Sequence, residues 1–278
     1  MKILLKFAAL LIGTTLGQSA VVGDLVFSIS DGEATVIDCN PEARNQLTIP
    51  AECEGNPVTA IGDSAFRDCA NITNIVVPDS VTEIGEWAFG YCTALRDITL
   101  PDAISSLGNH AFLGCSSLTS ISIPGSIDTI QQYTFTFCTN LESVTIGNGI
   151  TEIGYAAFER TALESIDIPN GVTVIGGYAF FECESLRSII LPEGVVSIGN
   201  SVFENCSNLQ SASLTSSLSQ IGNEAFRNCV SLTTISIPGG VSTIRPDTFR
   251  ECSNLESVIF SEGVSVISSN SFSGCGSL

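Results

Sequence analysis

The sequence predicts an α/β repeat solenoid, and three observations carry that prediction. A block of about 23 residues recurs from Ile61 onward, the apolar residues in each block keep one register, and one phenylalanine position is filled in every copy. Anchored on its first residue, the block starts at Ile61, Ile84, Leu107, Ile130, Ile153, Ile175, Ile198, Ile221, Ile244 and Ile267. Every step is 23 residues except a step of 22 from Ile153 to Ile175. A fixed period this short means units that bury their apolar faces only against their neighbours, so the chain winds into a stack.

Residues 1–20, MKILLKFAALLIGTTLGQSA, begin with Lys2 and Lys6, continue through an apolar run from Phe7 to Ile12 and end in small polar residues. That is the layout of a secretory signal peptide, and the apolar run is short for a membrane span of about 20 residues. No later stretch is long and apolar enough to cross a membrane. Residues 21–60 fall outside the period. DLVFSISDGEATVID alternates apolar and polar residues across Asp31-Gly32, a β-hairpin signal, and the block reads as an N-terminal cap. Cys39 and Cys53 are the two cysteines outside the repeat register. They are either a disulfide closing the cap loop or two buried free thiols.

Residues 61–278 hold nine full blocks and a truncated tenth. In Leu118-Thr-Ser-Ile-Ser-Ile-Pro-Gly-Ser-Ile127, Leu118, Ile121 and Ile123 point inward from a short strand. Pro124 ends that strand for want of an N–H, and Ile127 and Ile130 return to the core. Gly108 and its equivalents serve a tight corner ahead of a short helical turn, which carries Ala111 and Phe112 as small and large core fillers. The ten phenylalanines from Phe66 to Phe272 stack as a column along the axis. Nine cysteines, Cys69 through Cys275, also share one position. No C-x₂-C pair accompanies them, so they read as small buried packing residues and not as a metal array. The block at Ile153 loses the cysteine position, reading Phe158-Glu-Arg-Thr-Ala-Leu163, and the period resumes at once.

The unit IGxxAFxxCxxLxxIxIPxxVxx resembles the BspA-like leucine-rich repeat over residues 61–278, and the segment with LTIP and PVTAIG resembles that family's leader. The resemblance implies a leucine-rich repeat solenoid that is secreted or on the cell surface, with adhesion among the roles of its members. It implies no catalytic residues and no cofactor.

Composition narrows the partners. The formal charge is −19, with 29 acidic residues against 10 basic ones, so phosphate backbones and anionic lipid surfaces are repelled and nucleic acid is no partner. His110 is the only histidine, and no nucleophile elbow, phosphate loop or recurring carboxylate pair occurs, so no enzyme is expected. The outward strand positions, such as Ser120/Ser122 and Ser143/Thr145, are hydroxyl-rich and lack aromatic anchors. They read as a solvated face, or as a hydroxyl array suited to a glycan or ice. Richer chemistry lies at the variable positions beside the turn: Trp87, Tyr91, His110, Tyr133, Phe137, Tyr155, Tyr178 and Phe181 form an expected partner-binding flank, with Arg67 and Arg227 nearby. The expected function is a secreted or cell-surface module that binds an extracellular protein or glycan. The alternative is a structural surface component that self-associates through the C-terminal edge, because the sequence stops within its tenth block.

Overall fold

A computed structural model describes residues 18–278. The expected leader lies outside the described residues as far as Gly17, and Gln18, Ser19 and Ala20 open the first strand. Three antiparallel strands start the chain: β1 (Gln18–Val22), β2 (Leu25–Ser30) and β3 (Glu33–Cys39). The β2–β3 turn runs through Asp31 at φ 56° and Gly32 at φ 83°. Positive φ at both central residues is the turn that matches strand twist, which is why Asp-Gly stands there. The segments β4 (Asn45–Thr48), β5 (Glu52–Cys53) and β6 (Asn56–Ile61) follow. β3 pairs with β6 in parallel, setting Val36 beside Ile61.

From there the cap feeds two parallel ladders. β6 pairs with Glu83–Ile84, and that pair with Ser106–Leu107. β4 pairs with Ile72–Val76, and that strand with Asp97–Thr99. Each later complete repeat except the 22-residue one contributes to both ladders. In the eighth, Thr234–Ile237 buries Ile235 and Ile237 and exposes Thr234 and Ser236, as two-residue alternation requires. Pro238 ends that strand, and the two-residue strand Thr243–Ile244 opens the following repeat. This second strand was not read from the sequence. The hydroxyl-rich ladder is paired in short sheets and loses a strand altogether at the 22-residue repeat, where residues 164–173 form none.

The expected short helical turn is absent: the described residues contain no helix. Between Ile221 and Cys229 the backbone instead makes tight turns with left-handed residues at Glu224 (φ 58°) and Asn228 (φ 58°). The N–H groups of Glu224, Phe226 and Asn228 donate to Pro246 O at 3.1 Å, Thr248 O at 2.9 Å and Arg250 O at 2.7 Å of the next repeat. Donors committed to a neighbouring coil cannot also form bonds four residues back, so a third ladder replaces a helix. Every junction from Ser64 to Ser273 repeats this pattern.

The core is one continuous column. Phe66, Phe89, Phe112 and their successors are fully buried, and consecutive rings stack with centroids 5.0–5.5 Å apart. The cysteines beneath them also donate. From Cys92 onward each thiol reaches the carbonyl of the phenylalanine one repeat back, as Cys92 does to Phe66 at 3.0 Å and Cys252 to Phe226 at 3.0 Å. Burial pushes these thiols up, Cys183 to about 11 and Cys252 to about 12, so they keep the proton that the bond requires. In the short repeat the cysteine position is substituted rather than lost. Thr161 occupies it, donating to Phe158 O at 2.9 Å with Cys183 Sγ 3.3 Å away, and the missing residue falls after it.

Cys39 and Cys53 are both buried and free, and the thiol partnering Cys39 is Cys69, the first of the column, whose Sγ lies 3.9 Å from Cys39 O. At the Gly108 corner the glycine serves close approach. A Cβ there would lie 2.5 Å from Glu86 N, so its hydrogen lets adjacent coils touch backbone to backbone.

Candidate functional site

Number each repeat from its first apolar residue, so that Ile84 is position one. The left-handed residues then sit at positions four and eight, and their side chains leave the turn toward solvent on one flank. Position four reads Ser64, Trp87, His110, Tyr133, Ala156, Tyr178, Ser201, Glu224, Asp247 and Asn270, all with φ between 52° and 59°. Left-handed backbone costs a residue with a Cβ on the order of 1–2 kcal/mol. It is held here because each N–H closes the turn ladder, as Tyr133 N does to Tyr155 O at 2.8 Å and Tyr178 N to Asn200 O at 2.9 Å. Since Ser64 and Glu224 share this backbone, the strain belongs to the scaffold and marks no site by itself.

What distinguishes the site is the side chains. Arg67 Cζ lies 4.5 Å over the Trp87 ring. Trp87 stacks on His110 at 4.3 Å and 5°, and His110 on Tyr133 at 4.8 Å and 10°. Tyr133 meets Tyr155 edge-on at 5.3 Å, Tyr155 meets Tyr178 at 5.2 Å, and Tyr178 meets Phe181 at 5.4 Å. The flat stacking gives way to tilted contacts at Tyr155 because that ring projects from position three. Each such contact contributes about 0.5–1.5 kcal/mol beyond burial.

Six of the eight expected residues therefore form one ladder: Trp87, His110, Tyr133, Tyr155, Tyr178 and Phe181. Tyr91, at position eight, adjoins it 6.1 Å from Trp87. Gly114 makes room for it, since a Cβ there would lie 2.6 Å from Tyr91 Cδ1. Phe137 stands apart, its ring 5.1 Å below Arg160 Cζ. Tyr91, Phe137 and Tyr155 are exposed, and the other five are half-buried.

His110 is neutral at pH 7. Burial between two rings pushes its pKa down, and Glu86, with Oε1 3.5 Å from Nδ1, only partly opposes that. Burial raises the Tyr155 phenol as well, with Tyr133 and Tyr178 adding to it. Farther along the flank the side chains become charged. Glu159 and Glu204 are raised, chiefly by burial, and Arg160 lies 2.6 Å from Glu182.

Sequence reasoning missed a groove of about 360 Å³ that continues the ladder past Tyr178. Tyr155 and Tyr178 wall it, Gly177 forms its notch, and Asn200, Gln220 and Arg245 extend it. Two departures from the repeat signal it. Position three carries Asp63, Glu86, Asn109, Gln132, Tyr155, Asn200, Asn223, Pro246 or Ser269 elsewhere but glycine at Gly177, and Arg245 stands where seven repeats have glycine. A smaller groove of about 240 Å³ opens on the strand face where the ladder breaks, beside Asp167, Asn170 and Ile190.

Residues 59–187 and 173–278 match the BspA type leucine rich repeat region, in six copies. The chain belongs to that family. The fold agrees with solved members of the leucine-rich repeat class. It is 28% identical to a leucine rich cell surface protein of Faecalibacterium prausnitzii over 94% of this chain and 93% of that one, with a TM-score of 0.52. It is 26% identical to the leucine rich repeat protein of T. pallidum over 80% of this chain and 90% of that one, with a TM-score of 0.54. No curated protein matches the sequence. The BspA-type family and its solenoid are those of binding scaffolds, and among the described residues no helix is long and apolar enough to cross a membrane.

Proposed function

We propose that this leucine-rich repeat chain is a secreted or cell-surface binding module, without enzymatic activity, that engages an extracellular protein or glycan through its aromatic flank. One observation carries the reading. Rings from successive repeats form a contiguous ladder from Trp87 to Phe181, held by a backbone whose hydrogen bonds are already closed. Rigid aromatic side chains supply contact area at small entropic cost and are the usual anchors of binding surfaces. The likeness to a cell-surface protein supports the expected location. Panels of extracellular proteins and glycans, titrated against the purified chain, test the role. Trp87→Ala with Tyr155→Ala should weaken at least one ligand about tenfold while the chain stays folded at the assay temperature. If every observed affinity survives both substitutions, the flank is not the binding surface.

A further inference from the structure

We propose that the groove beyond Tyr178 is a subsite for a linear acidic polysaccharide, one that presents carboxylates on its sugar rings. The inference rests on the binding role above and names the ligand class that this part of the flank takes. Its walls are the rings of Tyr155 and Tyr178, and ring faces pair with the apolar faces of sugars. Its polar groups are side-chain amides and a cation. Asn200 Oδ1 accepts from Asn223 N at 2.9 Å, which turns the Asn200 Nδ2 donor outward from that bond. Gln220 makes no side-chain hydrogen bond among the described residues, and Arg245 has no carboxylate within 4.0 Å. The guanidinium fork matches a carboxylate with two parallel bonds.

The occupant is chosen by what the groove lacks. No aspartate or glutamate lines it, in a chain with 29 of them. An unpaired arginine in an acid-free strip favours an anion locally, while the remaining negative charge is screened beyond about 8 Å at physiological salt. An extended peptide would need main-chain partners, but the backbone lining the groove is largely committed between coils. Gly176 N donates to Ile153 O, Gly199 N to Ile175 O and Gly222 N to Ile198 O. What remains is rings, amides and a guanidinium. The lining spans five successive repeats, from Tyr155 to Arg245, so the groove runs along the axis with a rise of about 4.8 Å per repeat. A chain of sugar rings advances by a comparable step.

Two substitutions test the groove and restore the repeat's own residues. Gly177→Asn installs the side chain found at Asn109, Asn200 and Asn223, and its Cβ would sit 3.2 Å from Asn200 O, within reach of a small adjustment. Arg245→Gln copies Gln131. Polygalacturonate, dextran and polyglutamate are titrated calorimetrically against the chain at low and high salt. Polygalacturonate should bind, weaken with salt and lose at least tenfold in each variant at unchanged melting temperature, while dextran binds much more weakly. Equal binding of polyglutamate, or polygalacturonate affinity unchanged in both variants, overturns the subsite. Loss on Trp87→Ala without loss on Gly177→Asn retains the flank as a binding surface and sinks the groove, so the two readings fail separately.

Discussion

The flank has two halves built on one backbone. From Trp87 to Phe181 the flank carries rings, at position four except where Tyr155 at position three and Phe181 at position seven supply them; from Ser201 to Asp247 position four carries hydroxyl and carboxylate, and arginines answer them. Arg227 reaches Glu224 at 2.7 Å and Glu204 at 3.5 Å, and Arg250 reaches Asp247 at 3.3 Å. The φ values and inter-coil hydrogen bonds are the same in both halves. The charged half has matched its groups internally, so a partner would have to strip water from satisfied ion pairs to bind it. The aromatic half offers ring faces with little to desolvate. Binding capacity thus follows the variable letters and not the fold, and Gly177 with Arg245 marks the seam between the halves.

The comparison can be broken at several depths. Phe180→Ala, beneath the seam, removes a ring stacked on two neighbours and should cost about 3–5 kcal/mol in urea unfolding, loosening both halves together. Selective loss in one half would mean that the halves are separate cooperative units. Cys206→Ala removes the thiol that donates to Phe180 O at 3.2 Å and leaves a small void; about 1–2 kcal/mol is expected, and Cys206→Ser should recover part of it. Trp87→Ala should cost about 1 kcal/mol from lost stacking, and equally at low and high salt. Arg227→Ala should cost less than about 1 kcal/mol, since its pairs are half-exposed, and its effect should shrink in salt. A Trp87 effect that fades with salt would erase the distinction between the halves.

The smallest effect is one of pH. The native pKa of His110 lies below its ordinary 6.5, so the unfolded chain takes up the proton first as pH falls. Stability should therefore decline through the window below about 6.5 and level off beneath the native pKa. His110→Phe keeps a ring in the stack and should flatten that part of the melting-temperature profile. An unchanged profile would take the slope away from His110; Glu159 and Glu204 could not account for it, since their raised carboxyls make stability rise as pH falls.

The solenoid was legible because its signals are local: the period, the Phe position and the proline after the strand all lie within one unit. The ladder of rings was legible for the same reason, since shared register puts side chains side by side. The turn was not. Its conformation is set by acceptors 22 residues away, and residues as different as Tyr133, Glu224 and Asp247 adopt it, so composition leaves no trace of positive φ. Phe137 was assigned with the ladder by proximity in sequence, but position eight directs it to Arg160 instead. Cys39 was weighed against Cys53 because both lie in one loop, whereas its neighbour Cys69 comes from the first coil. The groove escaped notice because it is made by a missing side chain at Gly177 and an added one at Arg245, three repeats apart and in no shared motif.

The third ladder has one more property. At each of its nine junctions three N–H groups point to the coil that follows, and none of the three points back. Aligned peptide dipoles add, so the flank is a vector: carbonyls face one way along the axis and amide hydrogens the other. Any coil added to the stack has to be threaded in that same sense, and a whole unit meets identical groups wherever it is inserted. Duplicating or deleting one entire repeat leaves the seam intact, whereas a cut within a repeat leaves mismatched partners. The chain's architecture thereby lets its length vary by whole units without redesign of the core.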